Sequence, residues 1–116
     1  GLKIKKEFDQ LNTSVFIVKK DNKVLLHKRS DKSKFLRNIE GFQIALNKEK
    51  IRHIADGIFK HTITNHKLIN KVYVVAPNHS EEVDLSGRWI NTEQLLDEIT
   101  TSFDRKALDT VKNALK

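Results

Sequence analysis

The chain has 116 residues, no cysteine and no methionine, and 38% of it is hydrophobic. That length and apolar content suit one domain with one core, and the lack of cysteine excludes disulfides, thiolate nucleophiles, thiolate zinc sites and iron–sulfur ligation within it. The formal net charge is +7, from 22 Lys+Arg against 15 Asp+Glu, and no apolar run approaches the roughly 20 residues that cross a bilayer; a soluble, cytoplasmic domain with no membrane partner is expected.

In chain order, Ser14-Val15-Phe16-Ile17-Val18-Lys19 is a continuous β-branched and aromatic run. The polar turn Lys20-Asp21-Asn22 follows, then Lys23-Val24-Leu25-Leu26-His27-Lys28-Arg29, so the two runs read as a hairpin. Between Lys19 and Arg37 stand eight lysines and arginines against Asp21 and Asp31 alone. Such a segment draws polyanions and releases counterions from DNA or RNA; the alternative is that these lysines only solubilise the domain. After a polar loop from Ser30 to Lys34, Phe35 to Leu46 mixes a turn with an extended stretch. Ile51, Ile54, Ala55, Ile58 and Phe59 then recur at helical spacing among Lys48, Glu49, Arg52, His53 and Asp56, which predicts an amphipathic helix.

From His61 the pattern turns extended again, through Ile63, Leu68-Ile69 and Lys71-Val72-Tyr73-Val74-Val75-Ala76, until Pro77-Asn78. Ser80 to Asp84 reads as an acidic loop, and Arg88-Trp89-Ile90 as a short strand. Asn91 is placed to cap a helix carrying Leu95, Leu96 and Ile99. A last helix presents Phe103, Ala107, Leu108, Val111, Ala114 and Leu115. The expected order is β-β-β-α-β-β-β-α-α in a single α+β domain spanning residues 1–116.

Residue chemistry offers no catalytic set. His27, His53, His61, His66 and His79 lack metal-ligand spacing, no serine or threonine sits in a nucleophile-elbow pattern, and Gly1, Gly41, Gly57 and Gly87 form no phosphate-binding loop. No catalytic residue, metal or cofactor is therefore expected in this stretch, and the fragment alone should be inert.

Val24-Leu25-Leu26-His27-Lys28-Arg29 and the later Arg88-Trp89-Ile90-Asn91-Thr92-Glu93-Gln94-Leu95 resemble the Nudix fold, a mixed β-sheet sandwiched by helices. Hydrolases of that fold hold magnesium on an Arg-Glu…Glu-Glu helix. Here Asn47 stands where a glutamate should follow Gly41, Pro77-Asn78 stands where Arg-Glu should precede Glu81-Glu82, and Glu49 with Asp56 is too small a set.

The pattern as a whole is similar to the C-terminal, Nudix-like domain of A/G-specific adenine DNA glycosylases. Phe35-Leu36-Arg37-Asn38-Ile39-Glu40-Gly41-Phe42-Gln43 follows that family's Leu-Leu-x-x-Leu-Trp-Glu-Phe-Pro spacing, with Glu40, Gly41 and Gln43 departing from it. His61-Thr62-Ile63-Thr64-Asn65-His66-Lys67-Leu68 is similar to its His-Thr-Phe-Ser-His-x-x-Leu, with Ile63, Thr64 and Asn65 standing for the Phe, Ser and His. The likeness runs from about residue 12 to 116, including the closing Phe103-Asp104-Arg105-Lys106-Ala107-Leu108.

The resemblance implies a domain that binds double-stranded DNA and recognises 8-oxoguanine opposite a mispaired adenine. Adenine flipping, glycosidic cleavage and an iron–sulfur cluster would belong to a catalytic domain of the same chain, so these residues are expected to be the C-terminal piece of a longer protein. The residues it places at DNA are Ile63, Thr64 and Asn65, with Thr62 and Lys67 beside them and Lys28, Arg29 and Arg37 from the basic segment. Thr64 keeps a hydroxyl and Asn65 a donor and an acceptor for a base edge or phosphate, whereas Ile63 cannot stack as an aromatic ring does. Thr62, Thr64 and Asn65 can also be read as mere polar positions of an edge strand. Two rival functions stay open: a diverged Nudix hydrolase of a nucleoside diphosphate derivative, which magnesium binding would reveal, and a protein-interaction module, which failure to bind nucleic acid would favour.

Overall fold

The computed structural model describes residues 9–46, 51–79 and 83–115. Within them lie β1 (Asp9–Lys20), β2 (Lys23–Lys28), β3 (Glu40–Gly41), β4 (Gln43–Leu46), β5 (Ala55–Ile63), β6 (His66–Val75) and β7 (Arg88–Asn91). Helices α1 (Leu95–Glu98) and α2 (Ser102–Val111) follow, flanked by short 3-10 turns at Thr92–Gln94 and Lys112–Leu115. The strands make one mixed sheet in the order β3-β2-β1-β6-β5, with β4 also on β1 and β7 on β2. β1 runs parallel to β6, from Asp9 beside His66 to Val18 beside Val75, and the remaining pairs are antiparallel.

The unbroken apolar run of β1 has a simple cause. As the central strand it is covered on both faces, and Val15, Phe16, Ile17 and Val18 are all buried. Val15, Ile17, Val24, Leu68, Val72 and Val74 face α1 and α2, which bring Leu95, Ile99, Phe103, Ala107 and Val111 into the same core. Phe16, Val18, Leu25, Tyr73 and Val75 face the other way and pack with Val83, Ala45 and Ile51. Both helices among the described residues thus lie on one face of the sheet. None is long and apolar enough to cross a membrane.

The helix expected across residues 48–59 is not formed where the chain is described: Ala55 opens a nine-residue strand, while Lys48 and Glu49 lie outside the described residues. Ala55 and Phe59 satisfy a period of two as well as a helical one, and Ile58 separates the two patterns. A helix would turn Ile58 inward, but it is 63% exposed, while Ala55, Gly57, Phe59, His61 and Ile63 alternate toward the core. Antiparallel pairing with β6 along the whole of β5 outweighs the local periodicity. Gly57 has a packing reason, since a Cβ there would lie 2.7 Å from the Thr110 side chain of α2.

At the helix ends, Asn91 makes no capping bond through its side chain, contrary to the expectation for it. Thr101 does cap: its Oγ1 accepts from the Asp104 amide at 3.0 Å and donates to Asp104 Oδ2 at 2.6 Å. Between β1 and β6 the Thr13 hydroxyl bonds Asn70 Oδ1, and Asn70 Nδ2 donates to the Phe59 and Leu68 carbonyls, so this buried polar pair is satisfied within the sheet.

Candidate nucleic-acid interface

β5 and β6 form a long hairpin whose last pair, Ile63 with His66, leaves a two-residue turn of Thr64 and Asn65. Both turn residues are exposed, as are Thr62 and Lys67, which pair directly below them. Ile63 is different: it is partly buried against the main core, so it anchors the tip and leaves presentation to Thr64 and Asn65. Thr64 has φ +53°. The matching β1–β2 turn puts Asp21, a residue that tolerates the left-handed region, at φ +55°, whereas a β-branched threonine is strained there by about 1–2 kcal/mol. Strain of this kind gathers at binding sites held by the surrounding fold.

A second loop stands beside the tip. Arg29 N donates to the Ile39 carbonyl at 3.2 Å and Asn38 N to the Arg29 carbonyl at 2.9 Å, which closes the base of a loop between β2 and β3. Within it Leu36 and Asn38 also take positive φ, and the Ser33 hydroxyl donates to the Phe35 carbonyl at 2.8 Å. The buried Phe35 ring meets the His66 ring edge to face at 5.7 Å. Lys34 lies over the Phe35 ring at 5.8 Å, and Lys32 and Arg37 are exposed on the same loop. The basic loop and the hairpin tip, distant in sequence, therefore share one end of the molecule.

Arg29 corrects the surface set read from the sequence. It is 3% exposed, and its Nη2 pairs with Asp104 Oδ1 at 2.6 Å while Nε and Nη2 donate to the Phe42 carbonyl. Asp104, fully buried, also accepts from Phe42 N at 3.1 Å. Burying two charges is tolerable because each is hydrogen-bonded beyond the pair itself, and the pair ties the end of β2 to α2. A Cβ on Gly41 would come within 2.6 Å of Arg29 Nη2, so only glycine fits beside the buried pair without a shift. Lys28 is exposed, but it pairs with Glu40, which Arg88 grips in an ion pair, and β1 separates its strand from β6. Arg88 and Lys28 hold the Glu40 carboxyl below the usual carboxylate range, Arg88 having the larger effect.

Sequence reasoning named Lys67 beside the tip but missed Lys60 and Lys106. A hollow of about 610 Å³ is lined by Gln10, Lys60, His61, Thr62, Lys67 and Lys106. Lys106 Nζ donates to His61 Nδ1 at 3.0 Å, and the His61 ring stands edge-on to Phe103. Burial, and then the charge of Lys106, push the His61 pKa below its ordinary value. The signal was present as the alternation of Lys60 and Thr62 with His61 and Ile63, obscured by reading the preceding residues as a helix. Among the described residues no group of three histidines and carboxylates could hold a metal ion; Glu49, Glu81 and Glu82 lie outside them.

No protein-family model and no curated protein matches the chain. Solved structures do. The C-terminal domain of mouse MUTYH, determined in complex with human PCNA, is 18% identical with a TM-score of 0.57, the match covering 90% of this chain and 88% of that one. The ORF135 protein of E. coli is 13% identical with a TM-score of 0.62, covering 91% of each chain. A MutT NUDIX hydrolase from Burkholderia pseudomallei is 14% identical with a TM-score of 0.60, covering 89% of this chain and 98% of that one. The mixed sheet, its order and these likenesses together establish an α+β, Nudix-like fold.

Proposed function

We propose that this chain is the DNA-binding, 8-oxoguanine-recognition domain of an A/G-specific adenine DNA glycosylase, and that it performs no chemistry of its own. The observation that carries this reading is the Phe35–His66 contact, which sets the basic Lys32–Arg37 loop beside the exposed Thr64-Asn65 turn. Lysine and arginine on that loop suit phosphates, which position the duplex. Thr64 and Asn65 offer short hydrogen-bonding groups that suit a base edge. The likeness to the MUTYH domain supports the same assignment. Adenine excision and an iron–sulfur cluster fall to a catalytic domain of the same protein, since this chain has no cysteine to ligate a cluster.

The test is binding of labelled duplexes containing 8-oxoguanine:adenine or guanine:adenine, followed by anisotropy. A preference for the oxidised pair that falls on changing Thr64 and Asn65 to alanine supports the reading; equal affinity for both duplexes refutes lesion recognition. The likeness to MutT-type hydrolases favours a second reading, a diverged hydrolase of nucleoside diphosphate derivatives. Magnesium-dependent turnover of such compounds would select it.

A further inference from the structure

The sheet face turned away from α1 and α2 divides into two halves. Near Phe16 and Tyr73, whose rings stack at 6.1 Å, it is covered: His53 lies 5.0 Å from the Tyr73 ring and pairs with Asp56. Toward the hairpin tip it is open. There Ile58 pairs with Lys71, Lys60 with Ile69 and Thr62 with Lys67, and Asn12 of β1 sits beside Ile69. Lys60, Lys67 and Lys71 are exposed, as is Ile58, and none of these positions holds a carboxylate.

Because Lys67 and Lys60, and then Lys60 and Lys71, are diagonal neighbours across two strands, they stand about 7–8 Å apart in a zigzag. Lys71 Nζ rests over the Tyr73 ring, 5.4 Å from its centroid, and an anion lying between Lys60 and Lys71 is attracted to both. A DNA strand rises roughly 3.4 Å of axis per phosphate, and its helical path sets neighbouring phosphates farther apart than that rise, so adjacent phosphates come within reach of lysines at this spacing. Ile58 and Ile69 add apolar surface between the cations and suit sugar faces. Among the described residues no aromatic ring is exposed on this half, which argues against base stacking.

We infer that the open half of the sheet, with Lys60 and Lys71 at its centre, is a track for the phosphodiester backbone of the duplex engaged by the Thr64-Asn65 tip. This rests on the DNA-binding reading above and extends it. The rows begin two residues below the tip and continue to Ile58, six residues from Thr64, so the contact reaches roughly 20 Å from the tip at strand spacing. Its lysines set affinity and footprint equally for damaged and undamaged duplexes, because phosphates carry no sequence information.

The experiment measures duplex affinity of the chain against salt for wild type, Lys60→Gln, and Lys60→Gln with Lys71→Gln, using both 8-oxoguanine:adenine and guanine:adenine duplexes, with thermal melting to confirm folding. The slope of log affinity against log salt should fall by about 0.9 for the single and about 1.8 for the double variant, with the preference between duplexes unchanged. A wild type that binds duplex while the folded variants keep its slope overturns the track and leaves the DNA-binding reading standing. A wild type that binds no duplex overturns both. Displacement of DNA by poly-glutamate at equal charge concentration also overturns it, since the occupant would then be any acidic chain.

Discussion

Phe35 and His66 meet edge to face, ring centroids 5.7 Å apart and planes at 71°, although 31 positions separate them in the chain. Phe35 belongs to the basic loop and His66 to the first position after the hairpin turn, so the contact fixes the loop against the tip. Changing Phe35 to Leu keeps most of the buried volume and removes the ring contact, worth about 0.5–1.5 kcal/mol. The variant should fold, lose roughly that much stability in urea unfolding, and bind duplex DNA more weakly because Lys34 and Arg37 are no longer held beside Thr64.

Arg29 and Lys28 are neighbours in sequence with opposite fates. Arg29→Ala leaves Asp104 buried without its cation and should cost about 3–5 kcal/mol, a large share of a small domain's stability. Lys28→Ala should change stability by less than about 0.5 kcal/mol. Chemical denaturation of the two variants checks this, and comparable losses would contradict the buried pair.

The Thr64 backbone gives a prediction with two readouts. Thr64→Gly removes the left-handed penalty at some cost in chain entropy, so stability should rise by about 0.5–1 kcal/mol. The same variant loses the hydroxyl. Together with Asn65→Ala it should reduce preference for 8-oxoguanine:adenine over guanine:adenine by about 1–3 kcal/mol, the usual size of a base-edge discrimination. A variant both more stable and less selective would show that the strain serves recognition.

His61 supplies a pH dependence. Its pKa lies below the ordinary 6.5 through burial and Lys106, so the unfolded chain takes up a proton before the folded one. The stability it contributes is present above about pH 6.5 and is lost as pH falls from there to the folded pKa. Lys106→Met should raise the His61 pKa and flatten this slope, read by NMR titration of the ring protons and by melting at pH 5.5 and 7.5. Phosphates drawn to the nearby hollow should raise it too, so duplex DNA should shift the titration upward.

The sequence by itself determined the central hairpin, the extended runs of β6 and β7, the closing helix and the excess of positive charge between Lys19 and Arg37. Each rests on local chemistry: unbroken β-branched stretches, a short polar turn, apolar residues at helical spacing. The Nudix-like class came from the resemblance of Val24–Arg29 and Arg88–Leu95 to that fold, not from the element order, whose expected central helix the structure replaces with β5. Tertiary structure decided what local pattern leaves ambiguous. Ala55 and Phe59 fit either period, and pairing with β6 made the segment a strand, which also gave Lys60 and Lys71 a common face. Arg29 looked like one more cation of a basic run, and only the approach of Asp104 from 75 residues away made it a core residue. Nor could spacing show that Phe35 would lean on His66, because a contact between distant segments depends on the sheet order that carries both to one end.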